Sequence, residues 1–518
     1  MNGPIFGITA GAQEAVERTR RFGVDFVDLH FGRKEEILPA ALEACEGHNI
    51  RYVLNFEGAP LGWVPTENLR QELARRPGFL GFMLDEADHM QINAHWPVID
   101  YYGYEDQHFL AETEGLNLME ARQAVLEALR QRNAACSVAG KDGKELRSAA
   151  VEFLFPVMMH TAARAGLNLS PKILKETCGP AMLAVAMGAA RQYSGGIEHR
   201  VDFWIDVDYW WHNETLGHSL ERFRSALLLA YWSGASQIYV EGGAQWSKGH
   251  PLGGQIESAY VDFLQNYVPA HPRPYDWREF TPEIAILRYD DTCFDERQKY
   301  LGEYPGPLYG HVPAGPENTE WLNIWSLLSH GFVRTDSVSH QWEARRFGSR
   351  TLFVPLNNVA VYDHEVRYET LKGLKLLFLS GVMISSQTQA AVQRCVREGA
   401  TCVLPPRLAP AGSGMDTIKE VTLVKDGGGR WLVVPEFYRL HYECFFAGPA
   451  LPLLRETLGD LIGDGDHLVY RFGERLVRFS QEGGDYPKHE LMTCFLPLTQ
   501  AGTNPDHLEV EFSSDSRL

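Results

Sequence analysis

Two acidic residues end two short apolar runs in this 518-residue chain. Glu86 ends the stretch FLGFMLDE, and Glu241 follows the run Ile-Tyr-Val and precedes two glycines. Each run has the length and apolar character of a buried parallel strand, which places its acid at the carboxyl end of that strand. Hydrolysis of a glycosidic bond requires such a pair: one carboxyl protonates the leaving oxygen, and the other attacks the sugar or activates water.

The elements that would hold these acids alternate between strand and helix from residue 1 to about residue 275. We predict strands at 5–9, 24–30, 51–57, 79–84, 167–173, 201–207 and 237–240. Helices between the strands predict βαβ units around a parallel sheet. Seven strands favour a (β/α)8 barrel whose eighth strand is poorly marked, with helices over 119–132 and 146–164. A doubly wound sheet is the alternative, but no glycine-rich phosphate turn follows the first strand.

The rest of the chain predicts two smaller domains. Residues 271–275 (HPRPY) read as a linker after a barrel domain of 1–275, because their prolines cannot continue a helix. We predict a smaller α/β domain over 280–415, with strands at 283–287, 351–355, 374–379 and 400–404 and a helix at 388–398. A small β-rich domain follows over 416–518.

Composition excludes several classes of partner. An apolar content of 45% and a charged content of 22% are typical of a globular protein. The net charge of −19 argues against nucleic acid and against an anionic membrane surface as partners. No window approaches about 20 uninterrupted apolar residues, so we predict no membrane helix. No basic segment precedes an apolar stretch at the start of the sequence. We therefore expect a cytoplasmic location, or a secreted or periplasmic one if a signal segment has been removed.

The eight cysteines are scattered, without a CxxC pair or Cys/His ligand spacing. This pattern predicts reduced thiols rather than disulfides or a zinc site. Asp85, Asp88 and His89 could bind a divalent ion, but the pattern D-E-x-D-H matches no usual ligand spacing. We predict neither a metal nor a cofactor.

A sugar site also needs flat aromatic side chains for the ring faces and polar groups for the hydroxyls. The candidate substrate-binding residues follow the predicted strands: Asp85, Asp206, Asp208, Tyr209, Trp210, Trp246, Trp96, His30 and Glu57. Because Asp206 and Asp208 alternate along a strand end, we expect only one of them to face the mouth.

By this strand count Glu86 ends the fourth strand and Glu241 the seventh. This arrangement resembles the retaining glycoside hydrolases of clan A, in which an acid/base Glu follows strand four and a nucleophile Glu follows strand seven. The resemblance implies that Glu86 is the acid/base and Glu241 the nucleophile, acting on a carbohydrate. The clan usually has Asn before the acid/base Glu, whereas this chain has Asp85, which could accept the same hydrogen bond from the sugar 2-hydroxyl.

The order of domains is similar to that of the family-42-type β-galactosidases. In those enzymes the barrel is followed by an amidotransferase-like trimerisation domain and a small β domain. Residues 371–406 carry this part of the resemblance, as strand, polar loop, helix, glycine and strand. It implies a homo-oligomer, either trimer or dimer. The turn 379–382 has no nucleophilic cysteine, so we expect this domain to be non-catalytic.

Three other functions fit the same residues. An inverting hydrolase would use Glu86 as acid and Glu241 or an Asp of the sixth predicted strand as base. Carboxyl separations of about 5–5.5 Å indicate retention and about 6.5–9.5 Å inversion. A non-catalytic sugar-binding or assembly protein is the second alternative. The third, a barrel lyase or isomerase for acidic sugars, needs basic residues at the mouth. The candidates are too scattered to favour it: Arg33, Lys34, Lys172, Lys175 and Lys248.

Overall fold

The computed structural model describes residues 3–31, 37–56, 64–88, 91, 110–113, 115–139, 146–174, 179–194, 201–209, 220–241, 253–289, 299–300, 304–305, 316–330, 354–435, 437, 456–459, 461–481 and 508–513. The chain divides into two compact units. The first comprises residues 1–176, 193–277 and 309–312, and the second comprises 177–192, 278–308 and 313–518. Among the described helices, none combines the length and apolarity needed to cross a bilayer.

A closed barrel of eight parallel strands forms the first unit. Its strands are β1 (Ile5–Gly11), β2 (Phe26–His30), β3 (Arg51–Asn55), β4 (Phe79–Leu84), β7 (Ala150–Phe153), β8 (Asn168–Ile173), β9 (Trp204–Asp208) and β10 (Gln237–Glu241). Strand β1 pairs with both β2 and β10, so the barrel closes and leaves no edge. A separate antiparallel pair, β5 (Val138–Ala139) and β6 (Leu146–Arg147), precedes β7. The predicted barrel fold is confirmed.

Helices lie between the barrel strands or follow the last of them, and residues 179–192 of one helix belong to the second compact unit. They are α1 (Ala15–Phe22), α2 (Leu38–Gly47), α3 (Glu67–Arg75), α4 (Leu118–Cys136), α5 (Met159–Arg164), α6 (Gly179–Tyr193), α7 (Leu220–Trp232), α8 (Gly253–Asp262) and α9 (Val268–Ala270), with a π-helical turn at Phe263–Tyr267. A side chain caps the start of the longest of them, α4. Asn117 caps α4, accepting from the backbone N–H of Glu120 at 3.0 Å while the Glu120 carboxylate accepts from the N–H of Asn117. Such a capping box satisfies two donors that a helix start otherwise leaves open.

The fifth barrel strand, β7, lies inside the segment 146–164 that the sequence predicted as a helix. Every residue of β7 is buried, and a strand buried on both faces shows no alternation that would distinguish it from a buried helix. Helix α5 begins only at Met159. The missing strand is therefore the fifth, and the strands after it each move up by one. Glu241 ends the eighth strand, so its predicted place on the seventh is wrong.

The barrel interior changes from apolar to polar toward the carboxyl ends of the strands. A buried apolar layer comes from six strands: Phe26, Val53, Met83, Ala150, Trp204 and Tyr239. Side chains two residues apart share one face of a strand, so the next inward positions on five of these strands form a polar layer. These positions are Asp28, Asn55, Glu152, Asp206 and Glu241. The polar layer thus lies at the end of the barrel where α/β barrels keep their active sites.

Glycine at position 7 permits the apolar layer to fill. A Cβ atom there would lie 2.4 Å from the Phe26 ring, a distance that no side chain could keep. Phe26 therefore occupies the barrel interior directly against the backbone of β1. This close approach is the reason that β1 carries no side chain at this position.

The second unit contains a six-stranded sheet in the order β15 (Val359–Asp363), β11 (Ile284–Arg288), β16 (Leu376–Leu379), β17 (Thr401–Leu404), β19 (Gly429–Val433) and β18 (Thr422–Asp426). Its first five strands are parallel, and β18 is antiparallel to β19. The hairpin of β18 and β19, which the sequence assigned to the domain beginning at 416, extends this sheet. The predicted domain bounds otherwise stay a prediction.

Further elements complete the second unit. A four-stranded sheet joins β14 (Leu356–Asn357), β20 (Leu468–Phe472), β21 (Arg475–Gln481) and β22 (Leu508–Ser513), and a short pair joins β12 (Lys299–Tyr300) and β13 (Tyr304–Pro305). Besides most of α6, its described α-helices are α10 (Pro316–Leu328), α11 (Tyr368–Leu371) and α12 (Ser386–Arg397). In the turn after β16, the Ser380 hydroxyl is buried and donates to the backbone oxygen of Leu287 at 3.1 Å.

Candidate active site

A single buried lysine lies at the centre of the polar end of the barrel. Lys172 of β8 has a side chain only 1% exposed, and five carboxyl groups surround its ammonium. The distance from Nζ is 3.0 Å to Glu86, 3.1 Å to Glu152, 3.6 Å to Asp206 and 3.8 Å to Asp208, and Nζ also contacts Glu241. The acids converge because the carboxyl ends of parallel barrel strands meet at one mouth.

The two acids singled out in the sequence meet on this one ammonium. Oε1 of Glu86 and Oε2 of Glu241 both contact Nζ of Lys172. Their side chains are 13% and 14% exposed, whereas the other three acids of the cluster are buried almost completely. Within this five-acid cluster, Glu86 and Glu241 are therefore the carboxyls that a ligand entering from solvent can touch.

Glu86 has a strained backbone. Its φ of 38° places a non-glycine residue in the left-handed region, in the turn directly after β4. Strain of this kind persists only where surrounding contacts fix the chain, and it is concentrated at functional sites. Asp88 supplies such contacts, because its buried Oδ2 accepts the backbone N–H of Leu154 at 3.0 Å and of Phe155 at 2.8 Å. The turn carrying Glu86 is thus bonded to the turn that follows β7.

Replacing Asp88 with alanine should weaken the barrel. Two buried N–H groups would lose their acceptor, at a cost of about 3 kcal/mol in the free energy of unfolding. The midpoint of thermal unfolding should fall by about 5 °C. Asp88→Asn is the matched control, since it keeps an acceptor oxygen and should lose less than half as much. An Asp88→Ala midpoint equal to that of the unmodified protein would contradict this role for Asp88.

Several hydrogen bonds orient Glu152 beneath the exposed pair. Its Oε1 accepts the Tyr239 hydroxyl at 2.6 Å and the Asn55 amide at 3.3 Å. The Tyr239 oxygen lies 3.0 Å from Oγ of Ser170, and the Asp85 side chain also forms a hydrogen bond with Glu152. Because several partners hold it, Glu152 is the fixed member of the cluster.

His30 extends the polar layer at the end of β2. Its Nε2 lies 2.8 Å from Oδ2 of Asp28, the same oxygen that accepts from the Asn55 amide at 3.2 Å and the Thr9 hydroxyl at 3.3 Å. With Nε2 as donor, all three groups donate to one carboxylate oxygen. The His30 side chain is 13% exposed, so it borders the same mouth as Glu86 and Glu241.

The electrostatics of the cluster keep the lysine charged. Burial works to lower the pKa of Lys172, but attraction to Glu152, Glu241 and Glu86 outweighs it and raises that pKa well above its ordinary value. Burial raises the pKa of Asp206 well above its usual range; repulsion from Glu241 adds to the rise, and the Lys172 ammonium opposes it. Burial likewise raises the pKa of Glu152, against the attraction of Lys172. The site thus combines a buried lysine whose pKa is raised by its acidic neighbours with buried carboxyls whose pKa values burial raises.

This pKa shift makes the stability contributed by Asp206 depend on pH. A carboxyl with a raised folded-state pKa favours the folded protein below its unfolded pKa of about 3.9, and this advantage is lost as the pH rises through the folded pKa. An amide does not ionise, so Asp206→Asn avoids the loss of stability that the buried carboxyl causes at higher pH. At pH 7 the variant should unfold about 2 °C or more above the unmodified protein, and the two midpoints should converge below about pH 4.

The pKa of Asp464, in the second unit, is shifted in the opposite direction to that of Asp206. Burial works to raise its pKa, but hydrogen bonds from the Asp466 backbone and from His467 lower it. Asp464→Asn should therefore unfold at a lower temperature at pH 7. The midpoint of thermal unfolding, measured for both variants from pH 3 to pH 8, checks both predictions. An Asp206→Asn protein that is less stable than the unmodified chain at pH 7 would contradict a raised pKa for Asp206.

Carboxylates of the cluster could in principle hold a metal ion. Glu152, Asp206 and Glu241 each offer an oxygen, and these oxygens lie within 4.8 Å of one another. The Lys172 ammonium contacts all three, however, so it takes the place that a divalent ion would need. The residues therefore fit an internal ion cluster better than a metal centre. In the other set considered from the sequence, Asp88 is committed to backbone donors, and His89 lies outside the described residues.

The remaining predicted substrate-binding residues have different surroundings. Asp206 and Asp208 both approach Lys172, so the expectation that only one faces the mouth is wrong: residues two apart on a strand point to the same side. Tyr209 is buried with its ring edge-on to Phe223, an arrangement typical of core packing. Trp96, Trp210, Trp246 and Glu57 lie outside the described residues.

Several residues of the site were not predicted. They are Lys172, Glu152, Asp28, Asn55, Tyr239 and Ser170. The available signal was a single charged residue within a short strand, as in NLSPKI and AVEF, because charged residues are almost never fully buried without a partner. Two such charges of opposite sign on neighbouring strands indicate an internal ion pair.

Comparisons with known proteins agree with this architecture. No family model matches the chain, and no curated protein matches it. A solved β-galactosidase from Bacillus circulans sp. alkalophilus aligns with 92% of this chain and 93% of its own, at 11% identity and a TM-score of 0.54. The two chains share a fold.

Two further solved structures align with lower TM-scores. Gan42B, a GH42 β-galactosidase, gives 0.48 at 12% identity over 93% of this chain and 92% of its own. The exo-β-1,4-mannosidase Op5Man5 from Opitutaceae bacterium strain TAV5 gives 0.44 at 10% identity over 89% and 95%. At these identities the likeness to the Bacillus β-galactosidase concerns the fold, and the chemistry has to be argued from the site.

Proposed function

We propose that this protein is a retaining glycoside hydrolase that cleaves β-glycosidic bonds of oligo- or polysaccharides. The observation that carries the proposal is the meeting of Glu86 and Glu241, the two partly exposed acids of the cluster, on one ammonium at the barrel mouth. The fold shared with a β-galactosidase supports it. A homo-oligomeric state, trimer or dimer, stays a prediction.

The proposed reaction is a double displacement. A Glu241 oxygen attacks the anomeric carbon while the protonated Glu86 gives its proton to the departing glycosidic oxygen, which leaves as an alcohol. The sugar is then held as an ester of Glu241. Glu86, now ionised, takes a proton from water, and the resulting hydroxide oxygen displaces Glu241 from the anomeric carbon. The sugar leaves with its original configuration, and both carboxyls return to their starting protonation.

The choice of nucleophile rests on geometry. The corrected count places Asp208 at the end of the seventh strand, which is the position of the nucleophile in the clan that the sequence resembles. Asp208 is buried, however, and its carboxyl lies 3.8 Å from Nζ of Lys172. Glu241 contacts the same ammonium as Glu86, and its side chain is 14% exposed. A nucleophile must touch the sugar, so we assign that role to Glu241.

The alternatives have less support. Inversion requires room for a water molecule between two widely separated carboxyls, whereas Glu86 and Glu241 share one ammonium. A lyase that forms a Schiff base requires a neutral amine, whereas the surrounding carboxylates hold Lys172 in its charged form. A non-catalytic sugar-binding protein would have no need of two partly exposed acids on one ammonium at the mouth.

A panel of nitrophenyl glycosides and polysaccharides tests the proposal. We expect release of nitrophenol from at least one β-glycoside, and NMR of the first product should show the β anomer before mutarotation. First appearance of the α anomer would indicate inversion. Binding of oligosaccharides by calorimetry without release of reducing ends from any glycan would overturn the proposed activity.

A further inference from the structure

Lys172 cannot itself be a group that touches substrate. Its side chain is 1% exposed and lies beneath Glu86 and Glu241. A lysine is rarely buried so completely unless charged partners hold it, and here the partners include both acids of the proposed reaction. Its role must therefore act through those acids.

The ammonium of Lys172 makes three short ion-pair contacts. They go to Glu86, Glu152 and Glu241, which belong to the ends of the fourth, fifth and eighth strands of the barrel. The carboxyls of Asp206 and Asp208 lie farther away, at 3.6 and 3.8 Å. The three shortest ion-pair contacts of the ammonium thus go to three glutamates that are far apart in the chain.

Of these three glutamates, Glu152 is the anchor. The Tyr239 hydroxyl and the Asn55 amide both donate to its Oε1, which leaves Oε2 directed at Lys172 at 3.1 Å. The chain of contacts runs from a fixed acid in the barrel interior, through the ammonium, to the two partly exposed acids at the mouth. In this arrangement Glu152 fixes the position of the ammonium, and the ammonium fixes the positions of the Glu86 and Glu241 carboxyls.

Glu86 and Glu241 need a group such as the Lys172 ammonium to hold their carboxyls in place. Glu86 lies in a turn with a φ of 38°, and the carboxyl groups of Glu86 and Glu241 repel each other whenever both are ionised. A cation between them reverses that repulsion and fixes where both oxygens lie. Within the described part of the chain, the titratable groups that face this ammonium are Glu86, Glu152, Asp206, Asp208 and Glu241, with Asp28, Asp85, His30 and Tyr239 behind them.

We propose that Lys172 is a positioning residue, whose ammonium holds the carboxyls of Glu86 and Glu241 at their working separation around one sugar. The catalytic part of this inference rests on the proposed function. The placement of the two carboxyls can be measured independently of any activity. Loss of about 1 Å in the placement of reacting groups can cost a factor of about 100 in rate.

Lys172→Met is the first test. It keeps an unbranched side chain and removes the charge, so kcat should fall at least about 100-fold. The acid limb of the pH profile of kcat/KM should move to higher pH, because the cation that favours ionised carboxyls has gone. Lys375→Met is the matched control, since that lysine is 61% exposed and pairs with Glu283 in the second unit. It should leave kcat and the pH profile unchanged.

A second variant covers the case in which Lys172→Met fails to fold. Lys172→Met/Glu152→Gln/Asp206→Asn removes two carboxyl charges together with the ammonium, so the buried cluster carries less uncompensated charge. We expect a folded protein whose kcat remains at least about 100-fold reduced, because nothing holds the two exposed acids together. Recovery of kcat to that of the unmodified chain would show that Lys172 only balances charge, and would overturn the proposal.

Crystal structures of the unmodified protein and of whichever lysine variant folds separate this inference from the proposed activity. We expect the Glu86 and Glu241 carboxyls to lie farther apart in the variant by about 1 Å or more. An unchanged separation would overturn the positioning role whatever the kinetics show. If the unmodified chain hydrolyses no glycoside, the proposed function fails, and the separation of the carboxyls still decides whether Lys172 holds them.

Discussion

Glu241→Gln should lower kcat by about 10⁴-fold or more on every glycoside that the protein hydrolyses. An amide is a far weaker nucleophile than a carboxylate, so the covalent ester cannot form at a useful rate. The substitution is nearly isosteric and removes one negative charge from a crowded cluster, so the fold should survive. Steady-state kinetics with a nitrophenyl glycoside measure the loss, and circular dichroism measures the fold.

Asp208→Asn is the matched control for this result. The same cluster holds Asp208, but its side chain is buried and lies farther from the ammonium. We expect Asp208→Asn to retain kcat within about 100-fold of the unmodified protein, because its effect would be on the electrostatics of neighbouring groups. If Asp208→Asn is the inactive variant and Glu241→Gln turns over, the nucleophile is on the seventh strand and our assignment is wrong.

Glu86→Gln should have an effect that depends on the leaving group. Loss of the general acid should lower the rate on an unactivated disaccharide by about 10²–10⁴-fold, because the departing alkoxide then receives no proton. A dinitrophenolate leaves readily without protonation, so formation of the glycosyl-enzyme from a dinitrophenyl glycoside should be slowed much less. Pre-steady-state release of dinitrophenol measures that step separately from hydrolysis of the intermediate.

The pH profile offers a second measure of the same assignment. A general acid gives kcat/KM a basic limb, on which activity falls as the acid loses its proton. In Glu86→Gln this limb should disappear, while the acid limb set by the nucleophile should remain. Equal losses on both leaving groups, together with an unchanged basic limb, would mean that another residue donates the proton.

The sequence predicted the barrel and missed one of its strands for a physical reason. Strands β4 and β10 are short apolar runs ending in acids, so both their identity and their direction could be predicted. Strand β7 lies in a longer apolar stretch, SAAVEFLFPVMM, where burial on both faces removes the alternation that would reveal it. Missing this one strand moved Glu241 from the eighth position to the seventh. The strand number was the part of the clan A resemblance that assigned the nucleophile role to Glu241. With Glu241 on the eighth strand, the strand number no longer supports that role.

The site could be predicted in part. That Glu86 and Glu241 would meet followed from the rule that parallel strands present their carboxyl ends at one mouth, and the structure brings both to Lys172. The central place of Lys172 did not follow, because it depends on register between strands. Lys172 lies beside Asp206 across β8 and β9, and that pairing is fixed only when the barrel closes. A lysine that looks isolated in the sequence thus becomes the centre of five acids.

The central claim is that Glu241 forms a covalent bond to the sugar while Glu86 faces it. Incubation with an activated 2-deoxy-2-fluoro glycoside of the preferred sugar tests this most directly, since fluorine at C2 destabilises the oxocarbenium-like transition state and lets the glycosyl-enzyme accumulate. Mass spectrometry of the digested protein should find one sugar mass on the peptide containing Glu241, and Glu241→Gln should carry none. A label on the peptide containing Asp208, or no label on the unmodified protein, would contradict the account.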